Sequence, residues 1–225
     1  MEYSGKLIDW HKLAADVDVK LSTQAVEIFD LYLAELLKWN RRFNLTGIKD
    51  RRRIQIKNFQ DSMAVSKLIS TKNVSVVDIG SGAGFPGFVL KIVKPQFHFH
   101  LIEPSNHRYN FLCHLKRLLK LEGLDIHKGS IEKWFCDFEN VWKSESLFFI
   151  SRAWKKPGEV VSILGSRLIR KRSGIIVMLG SRYKEELANL ASVSRKSLLR
   201  ITACQKVTLT EKAGFRVNVL LQRLN

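Results

Sequence analysis

The chain has 225 residues, 45% of them hydrophobic and 26% charged, and a net charge of +17. That size and apolar share exclude a disordered chain and suit one globular domain, with or without an appended subdomain. No leader-like N-terminus and no apolar run of membrane-spanning length are visible. The scattered Cys113, Cys136 and Cys204 suit reduced, partly buried thiols of a cytoplasmic protein. The charge is concentrated: residues 146–225 hold sixteen basic against four acidic side chains, whereas residues 73–145 hold nine against eight. Such a local excess is what a phosphate backbone requires, so a nucleic-acid partner is expected in preference to a merely solvated surface.

The first predicted element is an amphipathic helix. After the candidate cap Ser22-Thr23, residues Val26, Phe29, Leu33, Leu36 and Leu37 recur at three- and four-residue spacing up to Trp39. A second helix is expected from about Arg51 to Ile69. Two basic clusters lie around the turn at Gly47: Arg41-Arg42 before it and Arg51-Arg52-Arg53 after it. From Val74 the pattern alternates between strand and helix. Strands are predicted at 74–80, 97–103, 125–129, 146–152, 174–180, 203–209 and 215–223, and helices at 85–93, 106–121, 158–170 and 183–197. This alternation implies an α/β, Rossmann-like, mostly parallel seven-stranded sheet. The link 210–214 is too short for a parallel crossover, so the last two strands form an antiparallel C-terminal hairpin. The organisation expected is an N-terminal helical subdomain over 1–72 and a catalytic α/β domain over 73–225.

The most informative stretch is Val76-Val77-Asp78-Ile79-Gly80-Ser81-Gly82-Ala83-Gly84-Phe85-Pro86-Gly87. An apolar strand runs into a glycine-rich turn and then a helix, the arrangement that lets backbone approach a nucleotide-type ligand closely. Gly82-x-Gly84-x-x-Gly87 also matches the dinucleotide pattern, which is weak alone. Asp78 argues against a pyrophosphate, which it would repel, and for S-adenosylmethionine, whose sulfonium and ammonium it would attract. Glu103, ending the next strand about twenty residues on, suits ribose hydroxyls and supports a nucleoside without choosing between the two. The histidines lack metal-ligand spacing: His98 and His100 share a strand face without further partners and read as structural. No metal is expected.

With the loop, strand order and basic flanks in place, the chain resembles the glucose-inhibited-division-B (GidB, RsmG) family of bacterial enzymes that methylate guanine N7 in small-subunit (16S) ribosomal RNA. Trp39-Asn40 with Asn44-Leu45-Thr46, Asp61-Ser62, the loop Gly80–Gly87 with its Pro-Gly, Arg108 with Phe111-Leu112, and Ser151-Arg152-Ala153 are similar to family motifs. The resemblance implies S-adenosylmethionine held by Asp78, Gly80, Ser81, Gly82, Gly84, Phe85 and Glu103, with Ser130, Ile131 and Glu132 flanking the adenine. Ser151 and Arg152 would sit beside the methyl group and position the base, Arg152 also touching the cofactor. RNA would meet Arg41, Arg42, Asn44, Arg51, Arg52, Arg53, Arg108, Lys155, Lys156 and Arg182. Guanine N7 carries a free lone pair at neutral pH, so no general base is expected, only placement.

The chain departs from the family pattern in four places. Asn58 stands where a His is usual, Asn106-His107-Arg108 replaces Gly-Lys-Arg, Ser130 stands at or near an Arg position, and Leu179-Gly180-Ser181-Arg182 lacks a Lys-Gly. Two alternatives therefore stay open: a methyltransferase of another acceptor, or a non-catalytic RNA-binding assembly factor that retains the fold. The expected partner is ribosomal RNA or the small subunit, met by a monomer.

Overall fold

A computed structural model describes residues 7–69, 74–140, 147–168 and 173–223. The helical first part comprises α1 (Trp10–Ala15), α2 (Thr23–Phe43), α3 (Arg51–Ile54), a π-helical stretch Gln55–Gln60, and α4 (Asp61–Val65) ending in a 3-10 turn Ser66–Leu68. On α2, Ser22 caps the first turn by accepting from the Ala25 N–H, and Asn44 closes the last in the left-handed region. Its buried stripe includes Phe29, Leu33, Leu36 and Leu37, as the spacing predicts, with Ala25, Tyr32 and Asn40 added and Val26 only half-buried.

The helix expected over 51–69 is present but interrupted. Buried Gln55 exchanges hydrogen bonds with the Ile8 backbone N–H and C=O at 2.9 Å each, and buried Gln60 donates to the Leu13 C=O at 3.0 Å. These tertiary bonds draw the backbone into the wider π geometry, a form found often at functional sites.

The α/β part follows: β1 (Ser75–Ile79), α5 (Gly87–Val93), β2 (His98–Glu103), α6 (Asn106–Leu118), β3 (Leu124–Lys128), α7 (Ile131–Asp137), β4 (Leu147–Arg152), α8 (Pro157–Leu164), β5 (Gly174–Leu179), α9 (Tyr183–Lys196), β6 (Leu199–Thr208) and β7 (Phe215–Arg223). The strands form one sheet in the order β3-β2-β1-β4-β5-β7-β6, parallel except for β7, which runs antiparallel to both neighbours. The expected hairpin is thus in place. Two expectations change. β6 starts at Leu199, four residues early, because an exposed edge strand shows little apolar alternation. The short helices α1 and α7 carry too few turns to show a period. The ends of the predictions at 146 and 169–170 lie outside the described residues. Of the cysteines, Cys113 is half-buried, whereas Cys136 and Cys204 are exposed.

Period-two alternation assigns the strand side chains to two layers. Val76, Phe99, Leu101, Phe148 and Ile150 join α2, α4, α5 and α6 in one core; Val77, Ile79, Ile102, Phe149 and Val177 join α7, α8 and α9 in the other. The N-terminal helices therefore share a core with the sheet. His98 and His100, expected to lack partners, face Asp125 and His127 of β3.

Phe59, on the π stretch, is central to this union: the rings of Trp10, Phe29, Tyr32 and Phe85 surround it at 4.9–5.3 Å. Phe59→Ala should cost about 3–5 kcal/mol in urea denaturation, because the cavity opens between N-terminal helices and glycine loop. A loss under about 1 kcal/mol would mean that the two parts are energetically independent.

Candidate active site

The strand order reverses between β1 and β4, and ligands of open α/β sheets bind at such a switch point, beyond the carboxyl ends of the strands. There the loop after β1, the end of β4 and the segment 45–48 line one cavity of about 870 Å³. Its walls carry Gly80, Ser81, Gly82, Phe85, Ser151, Arg152 and Trp154, and the basic side chains Lys57, Arg108, Lys155, Lys156, Arg182 and Arg216.

Backbone bonds fix the loop. Gly80 and Ser81 donate to the Ile102 C=O of β2 at 2.9 and 3.2 Å, and Gly84 and Phe85 donate to the Ser81 C=O at 2.8 and 3.0 Å. Gly82 has φ 60°, and the nearest atom to a Cβ built there is 3.9 Å away, so this glycine is needed for its backbone shape and leaves its ligand face open. Gly87 is needed for space: a Cβ there would lie 2.6 Å from Asp78 Oδ2. Tyr32 of α2 donates its hydroxyl to the Ala83 C=O at 2.6 Å, so the loop is held from the N-terminal helices as well.

The two carboxylates read as ligand-facing are placed differently. Asp78 is 1% exposed and does not line the cavity; it lies beneath the loop, where Oδ2 accepts from the Gly87 N–H at 2.9 Å and Oδ1 has no partner. Asp78 thus braces the loop from below instead of facing the cavity. Burial, only partly offset by the Gly87 bond, raises its carboxyl to about 7. That lies above the ~3.9 of an unfolded Asp. The native state therefore binds the extra proton, and this group's contribution to stability falls as pH rises from about 4 to about 7. Asp78→Asn keeps an acceptor for Gly87 but removes the titration. Its stability relative to the parent should climb across that window in denaturation at stepped pH; a constant difference would refute the assignment.

Glu103 is 2% exposed and, like Asp78, is not among the residues lining the cavity. Its Oε2 accepts from the Gly82 N–H at 2.7 Å and its Oε1 from the Ser105 N–H at 2.8 Å. Each oxygen keeps a lone pair beyond those bonds, so the carboxylate can still receive a diol. Open space at Gly82 and a backbone-oriented carboxylate next to it fit a nucleoside.

At the end of β4, Ser151 is buried and Arg152 half-buried. The Arg152 guanidinium donates to the Lys57 C=O at 2.9 Å and to Asn58 Oδ1 at 3.3 Å, and lies 3.5 Å from Asp61 Oδ2, with its Cζ 5.5 Å from the Phe85 ring centre. Asp61 also holds Arg216 of β7 at 3.2 Å. Because Asn58 Oδ1 faces Arg152, its Nδ2 is left buried without a partner, as is Asp61 Oδ1. Beside the cavity there is thus one orphan donor and one orphan acceptor, which a polar ligand edge can satisfy.

Of the residues expected in the site, Gly80, Ser81, Gly82, Phe85, Arg108, Ser151, Arg152, Lys155, Lys156 and Arg182 meet in the cavity. Gly84 packs instead against Tyr32 and Phe88. Ser130 caps α7 by accepting from the Lys133 N–H, Ile131 is core, and Glu132 is exposed; none of the three lines the cavity. Arg41, Arg42, Asn44 and Arg51–Arg53 also lie off it: the first two are exposed on the last turn of α2, Asn44 is its C-cap, and Arg52 pairs with Glu211 on the hairpin link. The reading missed Asp61, Arg216 and Trp154 as site residues. Trp154 sits against Gly80, where a Cβ would come within 2.9 Å of its ring, and follows Ala153 in the left-handed region.

Sheet order, glycine loop and crevice define a Rossmann-like class I methyltransferase fold. The METTL16 methyltransferase domain has this fold at TM-score 0.59 and 14% identity, covering 97% of this chain and 93% of that one. So does the M. jannaschii TYW2 crystal structure in complex with AdoMet, at TM-score 0.53 and 17% identity, covering 73% and 77%. The GidB family model, described as rRNA small subunit methyltransferase G, matches residues 25–212. The ribosomal RNA small subunit methyltransferase G of Lactococcus lactis subsp. cremoris (strain MG1363) is 32% identical over 176 residues, 77% of this chain and 73% of that protein. The chain belongs to the GidB family.

Proposed function

We propose that this protein transfers a methyl group from S-adenosylmethionine to N7 of a guanine in 16S ribosomal RNA. The observation that carries the reading is the merging, in one cavity, of the glycine loop, Ser151-Arg152 and a rim of Arg and Lys side chains. Gly80, Ser81 and Gly82 would receive the cofactor and Glu103, bonded to the Gly82 N–H, its ribose, with Asp78 beneath the loop. The cofactor, once bound, supplies an electrophilic methyl group.

The chain's own residues do the rest. Asn58 Nδ2 and Asp61 Oδ1, both orphaned, present a donor and an acceptor that match the O6 and N–H groups of guanine. Trp154 offers an aromatic face of the kind on which unstacked RNA bases rest. Arg152, anchored by the Lys57–Asp61 segment, orients what enters, and Ser151 forms the floor next to it. No proton need be removed from N7, so positioning and exclusion of water are the catalytic tasks. The exposed Arg108, Lys155, Lys156 and Arg182 hold phosphates. Replacing Lys155 and Lys156 together by Ala should reduce the salt slope of RNA binding by about 1.4–1.8. An unchanged slope would place the RNA elsewhere.

Among the described residues no helix is long and apolar enough to cross a membrane. An RNA substrate is consistent with a cytoplasmic monomer that meets the small subunit. A second reading, an RNA-binding assembly factor without catalysis, is favoured by the engagement of both Arg152 terminal nitrogens with Asn58. Labelled S-adenosylmethionine with small-subunit RNA separates the two: transfer to RNA supports the first, donor binding without transfer the second.

A further inference from the structure

At the outer edge of the sheet, away from the cavity, four metal-ligating side chains meet on one face. His98 and His100 stand two residues apart on β2, Asp125 and His127 two apart on β3, and the parallel register sets His100 opposite Asp125. Alternation then turns all four to the same side. The contacts bear this out: His98 Nε2 is 2.8 Å from Asp125 Oδ2, and His100 Nδ1 is 3.1 Å from His127 Nε2. Ligand atoms of His98, His100 and Asp125 all lie within 4.8 Å of one another. Trp134 and Phe138 wall the inner side against His100 and His127.

We propose that His98, His100 and Asp125, with His127 as fourth ligand, bind one divalent transition-metal ion of the zinc type and clip β3 to β2. Three imidazoles and one carboxylate are the donor set of tetrahedral zinc, and too rich in nitrogen for magnesium or calcium. Tetrahedral zinc–nitrogen bonds place ligand atoms roughly 3.4 Å apart. The 2.8 and 3.1 Å contacts lie near that value; gathering His98, His100 and Asp125 around one ion calls for side-chain rotation, and His127 would be drawn in through its contact with His100. His98 and Asp125 have side chains 43% and 48% exposed and open a path for the ion, while His100, 6% exposed, is the fixed anchor. Lys116 Nζ, 3.6 Å from Asp125 Oδ1 and 37% exposed, competes for the carboxylate and must swing outward. β3 is an edge strand, and β2 ends in Glu103, so the clip would brace the edge that carries the ribose-type carboxylate.

The test uses untagged protein freed of metal by chelator dialysis, titrated with zinc chloride by calorimetry and with cobalt chloride by visible absorption. One ion per chain, the absorption of tetrahedral cobalt, and a thermal midpoint raised by about 5 °C at roughly 100-fold excess over Kd are expected. His98→Gln with Asp125→Asn, at two exposed positions, should weaken binding by more than about 100-fold. Cys136→Ser, at an exposed free thiol, should leave it unchanged, and Lys116→Ala should tighten it. No stoichiometric binding, or binding lost with Cys136→Ser and kept by the double variant, would overturn the site.

Discussion

Gly82→Asp should weaken S-adenosylmethionine binding by at least about 100-fold, equivalent to roughly 2.7 kcal/mol. Two effects add at this position. The φ of 60° is reached by glycine freely and by aspartate only at a cost of about 1–3 kcal/mol. The new carboxylate would also occupy the open face of the loop, while the Gly82 N–H is already held at 2.7 Å by Glu103. Gly82→Ala separates the two, since it brings the backbone strain with little bulk: a Cβ there meets no atom within 3.9 Å. Calorimetric titration of both variants checks the order, with Ala close to the parent and Asp far weaker. Equal binding by all three would place the cofactor elsewhere.

Asp61→Ala should destabilise the protein by about 3–5 kcal/mol, because two guanidiniums lose their shared counter-charge. Asp61 has a side chain only 2% exposed and lies 3.2 Å from Arg216 and 3.5 Å from Arg152. Removing the carboxylate leaves Arg152 with only the neutral Lys57 C=O and Asn58 Oδ1. A double variant, Asp61→Ala with Arg216→Ala, should recover part of the loss, because one of the stranded charges goes with its partner. Urea denaturation of the two single variants and the double measures that coupling. Additive losses would mean that the Asp61–Arg216 pair contributes nothing to folding.

The sheet was legible because its strands are short apolar runs separated by glycine-rich turns and helical periods. The loop was legible because repeated glycines between an apolar strand and a helix mark a closely packed turn, although only Gly82 proves open toward a ligand while Gly80 and Gly84 make room for neighbouring rings. What the sequence concealed lies in long-range pairing. Nothing local marks Asp61 as the partner of Arg216, since 155 residues separate them. The basic run Arg51–Arg53 reads as an RNA surface, yet its first turn of helix directs Arg52 to Glu211. Asp78 turns to the Gly87 N–H, because strand alternation does not say whether a carboxylate near a strand end faces a ligand or the loop's own N–H groups. The π stretch is also invisible to a periodicity of 3.6, because buried Gln55 and Gln60 impose it from outside the helix.

Methyl transfer to N7 of a small-subunit guanine is checked by incubating the protein with radiolabelled S-adenosylmethionine and ribosomal RNA, naked or assembled, from a strain lacking the corresponding methyltransferase. Nuclease digestion then maps the label. Label on one guanine, at a position that borohydride reduction followed by aniline cleaves, is the predicted result. Label on protein or a small molecule, or none from an enzyme shown to bind the donor, would contradict it.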